Sequence, residues 1–463
     1  MRQTSVMSSP SQNRGEPRIL LLFNPEGIVD RDIYLSATQN AIHLQAHEIN
    51  ISRTPEGHTV ERLDLFQLAK GILEFQPDFV LTINGAGLDN ERLLSHFCAS
   101  LEIPLVIWYV DEPFLIPEWG QRFSPHATIA FTFDRFYERK LRNWGIEWVF
   151  TLPLGTNAER MLGYATPKRR DSRYVNRISF VGALEYSKIQ YLLKNITNMW
   201  ETIPPAMPAV LDKAIVEYQL SPKADPEEVI AACAKSLGLQ YAFPNGIVKQ
   251  MILSFIDREA SFRLRQRTVE GLKPFGIAVY GEPLWRDIVG PKWYKGAIDY
   301  YSAQIAKVYN GTRINLNISK YQLKTTVNQR VFDCALCGGF LITDFKEEIE
   351  ALFQIGKSIV VFRDLEDLKA KIAFYLENSD KGDDITECAR EVILSTHTYN
   401  HRLRQMCRTV SEVKTDPRFN HLCQKLLPEK SSPRFNALIA FLRQEKVLPD
   451  NSTGDRMTSR IQP

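Results

Sequence analysis

The sequence lacks a segment that could cross a membrane, because no apolar run approaches the roughly 20 residues that a transmembrane helix needs. Its first residues, MRQTSVMSSPSQNRGEP, also lack the apolar core of a secretory signal peptide. Their composition is typical of a disordered leader over residues 1–17. We therefore expect a protein without a transmembrane segment.

An excess of charge of one sign is missing as well. The 463 residues include 57 basic and 54 acidic side chains, which leaves a formal net charge of +3. This small excess gives no reason to expect nucleic acid or a membrane surface as a partner. The apolar fraction of 44% is that of an ordinary globular protein, and the length allows two or three domains.

Cysteine is also sparse, and its seven residues, an odd number scattered along the chain, form no disulfide framework. We therefore expect reduced thiols and a location in the cytoplasm. Cys334 and Cys337 make a C-x-x-C pattern, but no second pair of cysteines or histidines with ligand spacing lies nearby, so both are interpreted as packing residues. No D-x-D motif stands in a loop suited to Mg²⁺ or Mn²⁺, and the sequence predicts neither a metal site nor a cofactor.

Two series of apolar strands alternate with helices, which is the pattern of doubly wound parallel sheets. The first series lies in a predicted domain at residues 18–165 and comprises RILLLF, PDFVLTI, PLVIWYV, TIAFTF and WVFTLP. After its first strand, residues 32–47 (DIYLSATQNAIHLQAH) are predicted to continue as one amphipathic helix. The polar, basic stretch at residues 164–177 is the predicted domain boundary.

The second series occupies residues 176–410 and comprises ISFV, GIAVY, INLNIS, FLIT and SIVVF. A mostly helical stretch separates its first two strands and is longer than one crossover needs, so we expect a helical insertion at about residues 195–270. Residues 411–463 are predicted to form a C-terminal helical tail. The predicted fold class is therefore α/β, with two Rossmann-like doubly wound domains.

Residues 328–348, NQRVFDCALCGGFLITDFKEE, place a cation where a helix begins. The local signals predict a strand at residues 314–319, a loop, a short helix at residues 329–337, a double-glycine stop and another strand. Arg330 lies in the first helical turn, where the helix dipole disfavours a cation, so a negative partner is expected. Two partners are open: Asp333 on the same helix face, or an anionic ligand such as a diphosphate.

Two Rossmann-like halves that face each other across a cleft describe the GT-B glycosyltransferases, and also periplasmic binding proteins and some epimerases. The amino-acid sequence of the second half is more specific. Its segments YYSAQIAKVYNGTRINLNIS, NQRVFDCALCGGFLITDFKEE and HTYNHRLRQM resemble the C-terminal domain of the CgeB-type (spore maturation protein-like) glycosyltransferases, closely over residues 300–408. The segments WYVDEP and LPLGTN are similar to the N-terminal domain that is usually fused to it.

The resemblance implies a GT-B-like fold that transfers a sugar from a nucleotide-diphosphate donor, with a UDP-sugar expected, to a protein or polysaccharide acceptor without a metal. The acid that binds the nucleotide ribose in this family falls on Asp333. Thr325 stands where retaining enzymes with an E-x7-E pattern have a glutamate, so a retaining mechanism is not implied. Nucleotide-sugar binding is predicted at Gly182, Gly281, Asn328, Arg330 and Asp333.

The remaining candidates keep two interpretations each. Asp111 in WYVDEP follows a buried strand at the sheet edge that would face the cleft, so it is either the catalytic base or a turn cap. Gly281 either contacts the ligand or only ends a strand, and Lys188 either reaches a phosphate or is solvated. The alternative to an enzyme is a non-catalytic two-lobed protein that binds a nucleotide or sugar, or an assembly protein that uses the helical insertion.

Overall fold

The computed structural model describes residues 17–40, 42–53, 59–113, 122–164, 172–199, 205–239, 246–425 and 433–448. The predicted leader up to residue 16, residues 449–463 of the predicted tail and residues 165–171 of the predicted boundary lie outside them. The strands are β1 (Arg18–Phe23), β2 (His43–Glu48), β3 (Asn50–Arg53), β4 (Thr59–Arg62), β5 (Phe79–Ile83), β6 (Leu105–Tyr109), β7 (Thr128–Thr132), β8 (Trp148–Thr151), β9 (Asn176–Val181), β10 (Ile277–Tyr280), β11 (Thr312–Asn317), β12 (Leu341–Asp344) and β13 (Val360–Phe362).

The α-helices are α1 (Ile28–Thr38), α2 (Leu65–Phe75), α3 (Leu93–Ser100), α4 (Glu138–Asn143), α5 (Ala158–Tyr164), α6 (Tyr186–Asn198), α7 (Met207–Leu220), α8 (Pro226–Ser236), α9 (Gly246–Gly271), α10 (Trp285–Val289), α11 (Ala303–Gly311), α12 (Arg330–Leu336), α13 (Ile349–Leu352), α14 (Leu365–Glu377), α15 (Ser379–Thr396), α16 (Tyr399–Thr415), α17 (Pro417–Lys425) and α18 (Pro433–Gln444). Short 3-10 turns connect several of them. Among the described residues, no helix has both the length and the apolar character needed to span a membrane.

Six parallel strands form the sheet of the first domain, in the order β2-β1-β5-β6-β7-β8. The central strands β5, β6 and β7 are buried along their whole length. This burial on both faces explains why their sequences are continuous apolar runs. The strand order reverses between β1 and β5, so the loops after these two strands border the crevice where open α/β sheets bind ligands.

The prediction of one helix over residues 32–47 is wrong in its second half. Helix α1 ends at Thr38, and His43–Glu48 form the edge strand β2, which pairs in parallel with β1. The segment HLQAHE alternates polar and apolar residues. This alternation is typical of an edge strand, in which successive side chains point to opposite faces and only one face is partly buried. The same few apolar residues also fit the period of a helix. The hydrogen-bonded pairing with β1 makes the segment a strand.

Five parallel strands form the second sheet, in the order β10-β9-β11-β12-β13. The helices α6 to α9 are inserted between β9 and β10, and they share an apolar core of their own that includes Ile196, Ile215, Ile230 and Ile252. Both sheets direct the carboxyl ends of strands toward a common cleft. The predicted fold class, two Rossmann-like domains facing a cleft with a helical insertion in the second, is confirmed.

The C-terminal helices return to the first domain. Helix α16 packs on α1, α17 packs on α3, and α18 packs on α2. Phe435, Leu438 and Leu442 of α18 enter the core on that side of the first sheet. The predicted boundary at residue 410 therefore falls inside α16, and the helical tail completes the first domain. The sequence pattern shows that these helices are amphipathic but does not show which domain their apolar faces cover.

Candidate functional site

A cleft of about 740 Å³ lies between the two domains, at the carboxyl ends of strands from both sheets. Its first-domain wall includes Asn24, Asp30, Glu61, Asn84 and Asp111. Its second-domain wall includes Lys188, Tyr300, Gln322, Asn328, Gln329 and Arg330. Three residues of the predicted site, Asp111, Asn328 and Arg330, thus lie together in this cleft.

Arg330 and Asn328 are oriented by one buried side chain. Arg330 Nη1 donates to Asn317 Oδ1 at 2.9 Å, and Asn328 Nδ2 donates to the same oxygen at 3.0 Å. Sequence reasoning missed Asn317, because an asparagine that ends a strand carries no distinctive signal. Within the described part of the chain, Arg330 Nε and Asn328 Oδ1 are buried without a hydrogen-bond partner. Such atoms cost free energy unless a ligand or water satisfies them.

Arg330 does not pair with Asp333, the first of its two possible partners. The Asp333 oxygens accept from other donors, and the described residues offer Arg330 no ion pair. Helix α12 has only seven residues, and its first amides close turns onto the carbonyls of Asn328 and Gln329. An anion in the cleft would therefore be held by the Arg330 side chain rather than by the helix end. Lys188, the second cation among the described residues of the cleft, is 63% exposed.

Asp333 is fully buried on the side of α12 that faces the first domain. Its Oδ2 accepts from Tyr300 Oη at 2.8 Å and from Gln329 Nε2 at 3.1 Å, while its Oδ1 accepts from the Thr156 hydroxyl. Burial raises the pKa of Asp333 to about 6. Tyr300 and Gln329 line the cleft, and Asp333 lies behind their side chains. A ribose could reach Asp333 if it took the place of Tyr300.

The network behind Asp333 joins the two domains. Asp32 on α1 is fully buried and forms a bidentate pair with Arg160, with both nitrogen–oxygen distances at 2.7 Å. Gln329 Nε2 donates to Asp32 at 2.7 Å, and Tyr399 Oη donates to Gln329 Oε1 at the same distance. These contacts fix the N-terminal end of α12 against the first domain and against α16.

Gly182 and Gly281 end the neighbouring strands β9 and β10 and lie against each other. A Cβ on Gly281 would approach Gly182 O to 2.4 Å, and Trp285 Nε1 donates to the same oxygen at 2.8 Å. Neither glycine lines the cleft. Two backbone amides at the start of α6 donate to the carboxylate of Glu282. The close approach of the two turns accounts for both glycines, and their predicted ligand contact stays a prediction.

Arg265 on α9 is a buried cation that sequence reasoning missed. It donates to Ala183 O at 2.6 Å and to Ile318 O at 2.9 Å, which ties the turn after β9 to the end of β11. Burial, together with the nearby Arg330, lowers the pKa of its guanidinium to about 10. Among the described residues, the hydrogen-bond acceptors of both arginines are neutral, while the charges of Glu185, Asp344 and Glu282 offset part of the effect on Arg265. A bound anion would further relieve the repulsion between the two arginines.

Asp111 lies where the sequence predicts, at the end of β6 in the cleft. Its carboxylate accepts from Asn84 Nδ2 at 3.0 Å and from Gln322 Nε2 at 3.2 Å. Gln322 belongs to the second domain, so the second of these bonds spans the cleft. The role of Asp111 as a catalytic base stays a prediction.

Asp30 is a second carboxylate of the same wall, and sequence reasoning missed it because it reads as an ordinary acid at a helix start. It is 3% exposed, and its Oδ1 accepts from the Asn24 amide at 3.1 Å. Gly27 permits its position, since a Cβ there would lie 2.2 Å from Asp30 Oδ2. Burial raises the pKa of Asp30 to about 7, and the charge of Glu61 acts in the same direction. A pKa near neutrality suits a general base.

Thr325, at the position of the absent glutamate, is buried between the domains outside the cleft. Its hydroxyl lies 2.5 Å from carboxylate oxygens of both Asp134 and Glu348. The Thr325 hydroxyl can donate its hydrogen to only one of these carboxylates, and burial raises the pKa of Glu348. Thr325 therefore connects the two domains through its contacts with Asp134 and Glu348.

The described residues include no group of three or more histidines, cysteines, aspartates or glutamates that could hold a metal ion. Cys334 and Cys337 are buried in the core, where Cys337 Sγ lies 3.6 Å from Met161 Sδ. This packing agrees with the interpretation of the C-x-x-C pattern. Catalysis without a metal or cofactor stays a prediction.

Comparison with known proteins finds a matching family model for part of the second half of the chain. Residues 261–408 match the family model described as glycosyl transferase-like, whereas no curated protein is significantly similar to the sequence. Sucrose-phosphate synthase from Thermosynechococcus elongatus is 10% identical, with a TM-score of 0.48 over 86% of this chain and 99% of that chain. A glycosyltransferase from Rickettsia africae is 11% identical, with a TM-score of 0.46 over 87% and 100% of the two chains. HepE from Anabaena, in complex with UDP, is 11% identical, with a TM-score of 0.44 over 85% and 100%.

These TM-scores are too low to carry an argument, so the fold assignment stands on the sheet topology. The family match runs from α9 to α16 and includes three predicted site residues, Asn328, Arg330 and Asp333. It does not include residues 18–165 or test the resemblance to the CgeB type. Residues 261–408 form a glycosyl transferase-like domain, and the predicted enzyme class, a glycosyltransferase, is confirmed.

Proposed function

We propose that the protein transfers a sugar from a nucleotide-diphosphate donor, a UDP-sugar, to a protein or polysaccharide acceptor in the cleft. The observation that supports this most strongly is that Arg330 has no negatively charged partner among the described residues. Its guanidinium lines the cleft, has Asn317 as its hydrogen-bond acceptor and keeps a buried Nε without a partner among the described residues. A diphosphate supplies the negative charge and the acceptor oxygens that this group lacks. The CgeB type is proposed on the resemblance over residues 300–408.

In this proposal the second domain binds the donor. Arg330 and Asn328 contact the diphosphate, and Lys188 on the same second-domain wall contributes a further positive charge. Arg265, behind the turn after β9, adds to the positive potential without entering the cleft. Asp333 accepts from the ribose hydroxyls once the nucleotide displaces Tyr300 from its carboxylate. Gly182 and Gly281 support the donor side by allowing their two turns to pack closely.

The first domain then activates the acceptor. The acceptor hydroxyl oxygen forms a bond to the anomeric carbon of the donor sugar. The bond from that carbon to the diphosphate oxygen breaks, and its electron pair leaves with the diphosphate near Arg330. The hydroxyl proton passes to a carboxylate of the first-domain wall. Asp111 and Asp30 both line the cleft, and burial raises the pKa of Asp30 to about 7, a value that suits a general base near neutral pH.

A panel of UDP-sugars tests the proposal against the non-catalytic alternative. The protein is incubated with each donor, with candidate protein and polysaccharide acceptors, and with a chelator that removes divalent metal ions. Mass spectrometry follows the transferred sugar and the released UDP. A transferase gives product for one donor in the presence of the chelator. Tight UDP binding without product for any donor supports a binding module instead, and the absence of UDP binding contradicts both.

A further inference from the structure

The two walls of the cleft carry opposite charges. Among the described residues that line it, every charged side chain of the first domain is acidic: Glu26, Asp30, Glu61 and Asp111. The described lining residues of the second domain include two charged side chains, Lys188 and Arg330, and both are basic. The cleft is therefore divided into a positive donor wall and a negative acceptor wall.

Three carboxylates of the acceptor wall, those of Asp30, Asp111 and Glu61, accept hydrogen bonds from neutral amides. Asp30 accepts from a backbone amide at 3.1 Å, and Asp111 accepts from the side-chain amides of Asn84 and Gln322. Glu61 Oε2 accepts from the Gly87 amide at 3.0 Å. Amide donors orient a carboxylate without cancelling its charge, so the wall presents negative potential to whatever binds against it.

We infer that the acceptor bound against this wall is a sugar without negative charge, which presents hydroxyl or ammonium groups to the carboxylates. This inference rests on the proposed function and specifies its acceptor. Carboxylate and amide oxygens accept hydrogen bonds from sugar hydroxyls, and they attract an ammonium group. A uronate, phosphate or sulfate group would face like charges in a partly enclosed site, where water screens them less than in bulk solvent.

The exclusion follows from the position of the cations as well. Arg330 and Lys188 stand on the opposite wall, where the donor diphosphate would already occupy them. An anionic acceptor would then meet the diphosphate on one side and the acids on the other. Neutral glycans and amino sugars avoid both repulsions, so they are the acceptor class that the cleft favours.

Sugar binding in the presence of UDP tests this inference. Saturation-transfer NMR at neutral pH compares methyl glucoside, glucosamine and glucuronate, which share one ring and differ in charge. Glucuronate should bind at least about tenfold more weakly than methyl glucoside, and glucosamine at least as tightly. High salt should reduce the difference. Glucuronate that binds equally well or better overturns the inference, as does the absence of binding by all three sugars.

A double variant shows whether the acids cause the exclusion. Glu61→Gln with Asp111→Asn removes two charges at nearly constant size, and glucuronate should then approach the affinity of methyl glucoside. The matched control, Asp380→Asn with Glu387→Gln, removes two exposed charges from α15 and should leave the selectivity unchanged. UDP affinity is measured first by calorimetry. If UDP does not bind, the proposed function fails; if UDP binds and glucuronate is not excluded, only the acceptor inference fails.

Discussion

Asp30 and Asp111 share one wall of the cleft but differ in how the protein holds them. Asp111 accepts hydrogen bonds from the side-chain amides of Asn84 and Gln322, which orient its carboxylate. Asp30 is more deeply buried, and this burial raises its pKa to about 7. We expect Asp30→Asn to lower kcat by about 10² or more while the affinity for UDP stays nearly unchanged. Asp111→Asn, made and assayed in parallel, shows which of the two carboxylates takes the proton.

The pH dependence separates a base from a structural residue. The wild-type kcat/KM should rise with pH up to about 7, where Asp30 becomes ionised, and then level off. Because the pKa of Asp30 is raised on folding, its ionisation also costs stability as the pH increases through about 7. Asp30→Asn should therefore lose the pH-dependent rate yet melt at the same or a higher temperature above that pH. A variant that melts lower and keeps the profile would assign Asp30 a structural role.

Asp333 has two possible roles, and one substitution distinguishes them. If it binds the ribose, Asp333→Asn weakens UDP and uridine alike, because the amide keeps one acceptor oxygen for two hydroxyls. If it acts only in the buried network with Thr156 and Tyr300, the variant loses about 1–3 kcal/mol of stability and binds both ligands as before. We expect the ribose result, measured by calorimetry and a thermal melt on the same preparations.

At the scale of elements, the loop between β11 and α12 connects the cleft to the helical insertion. Gln322 and Leu323 of this loop line the cleft. The next residue, Lys324, is 2% exposed, and its ammonium donates to the Tyr218 hydroxyl and to Ala224 O. Burial lowers the pKa of Lys324, and it raises the pKa of the neighbouring Glu112 to about 7. The loop is thus held by a buried cation between acids.

Lys324→Met should reduce the free energy of unfolding by about 3–5 kcal/mol at pH about 8, because Glu112 and Asp257 lose their buried counter-charge. The loss should shrink below pH about 7, where Glu112 is protonated and needs no cation. Urea unfolding at the two pH values measures both quantities. The control Lys223→Met removes a lysine that is 56% exposed and should change stability by less than about 0.5 kcal/mol. Equal losses at both pH values would contradict this electrostatic explanation.

The elements that sequence patterns predict well are those that local signals determine. Strands β5, β6 and β7 are continuous apolar runs because both faces of the sheet are covered. The stop after α12 is visible as Gly338, which adopts a positive φ of 79°. Strand β2 was not predictable in the same way, since its short, half-buried alternation also fits a helix.

The residues of the candidate site also differ in whether local sequence signals or contacts in the folded protein determine their position. Arg330 and Asn328 were predictable because a strand, loop and helix place them at the carboxyl end of a sheet. Asn317 and Arg265, which organise that wall, were not, because their partners lie 13 and 53 positions away in the chain. Asp30 acquires its raised pKa only from burial in the folded protein.

At the scale of the whole molecule, the C-terminal helices pack back onto the first domain. Phe435 on α18 is 1% exposed and packs with Leu68 and Ile72 of the first domain. Phe435→Ala should lower the free energy of unfolding by about 3–5 kcal/mol and reduce hydrogen-exchange protection in β5 and β6. Phe374→Ala, at a position 43% exposed on α14, is the control and should cost less than about 1 kcal/mol. Unchanged protection in the first domain would show that α18 is dispensable.

The central claim is that Arg330 binds the diphosphate of a nucleotide donor, and calorimetric titration of UDP and uridine tests it most directly. Wild-type protein, Arg330→Ala and the exposed control Arg286→Ala are compared under the same buffer and salt. We predict that Arg330→Ala weakens UDP by at least about tenfold and uridine by less than about twofold, because only UDP carries the phosphates that the guanidinium contacts. The control should bind both ligands like the wild type. Equal weakening of UDP and uridine, or no weakening of either, would contradict the claim.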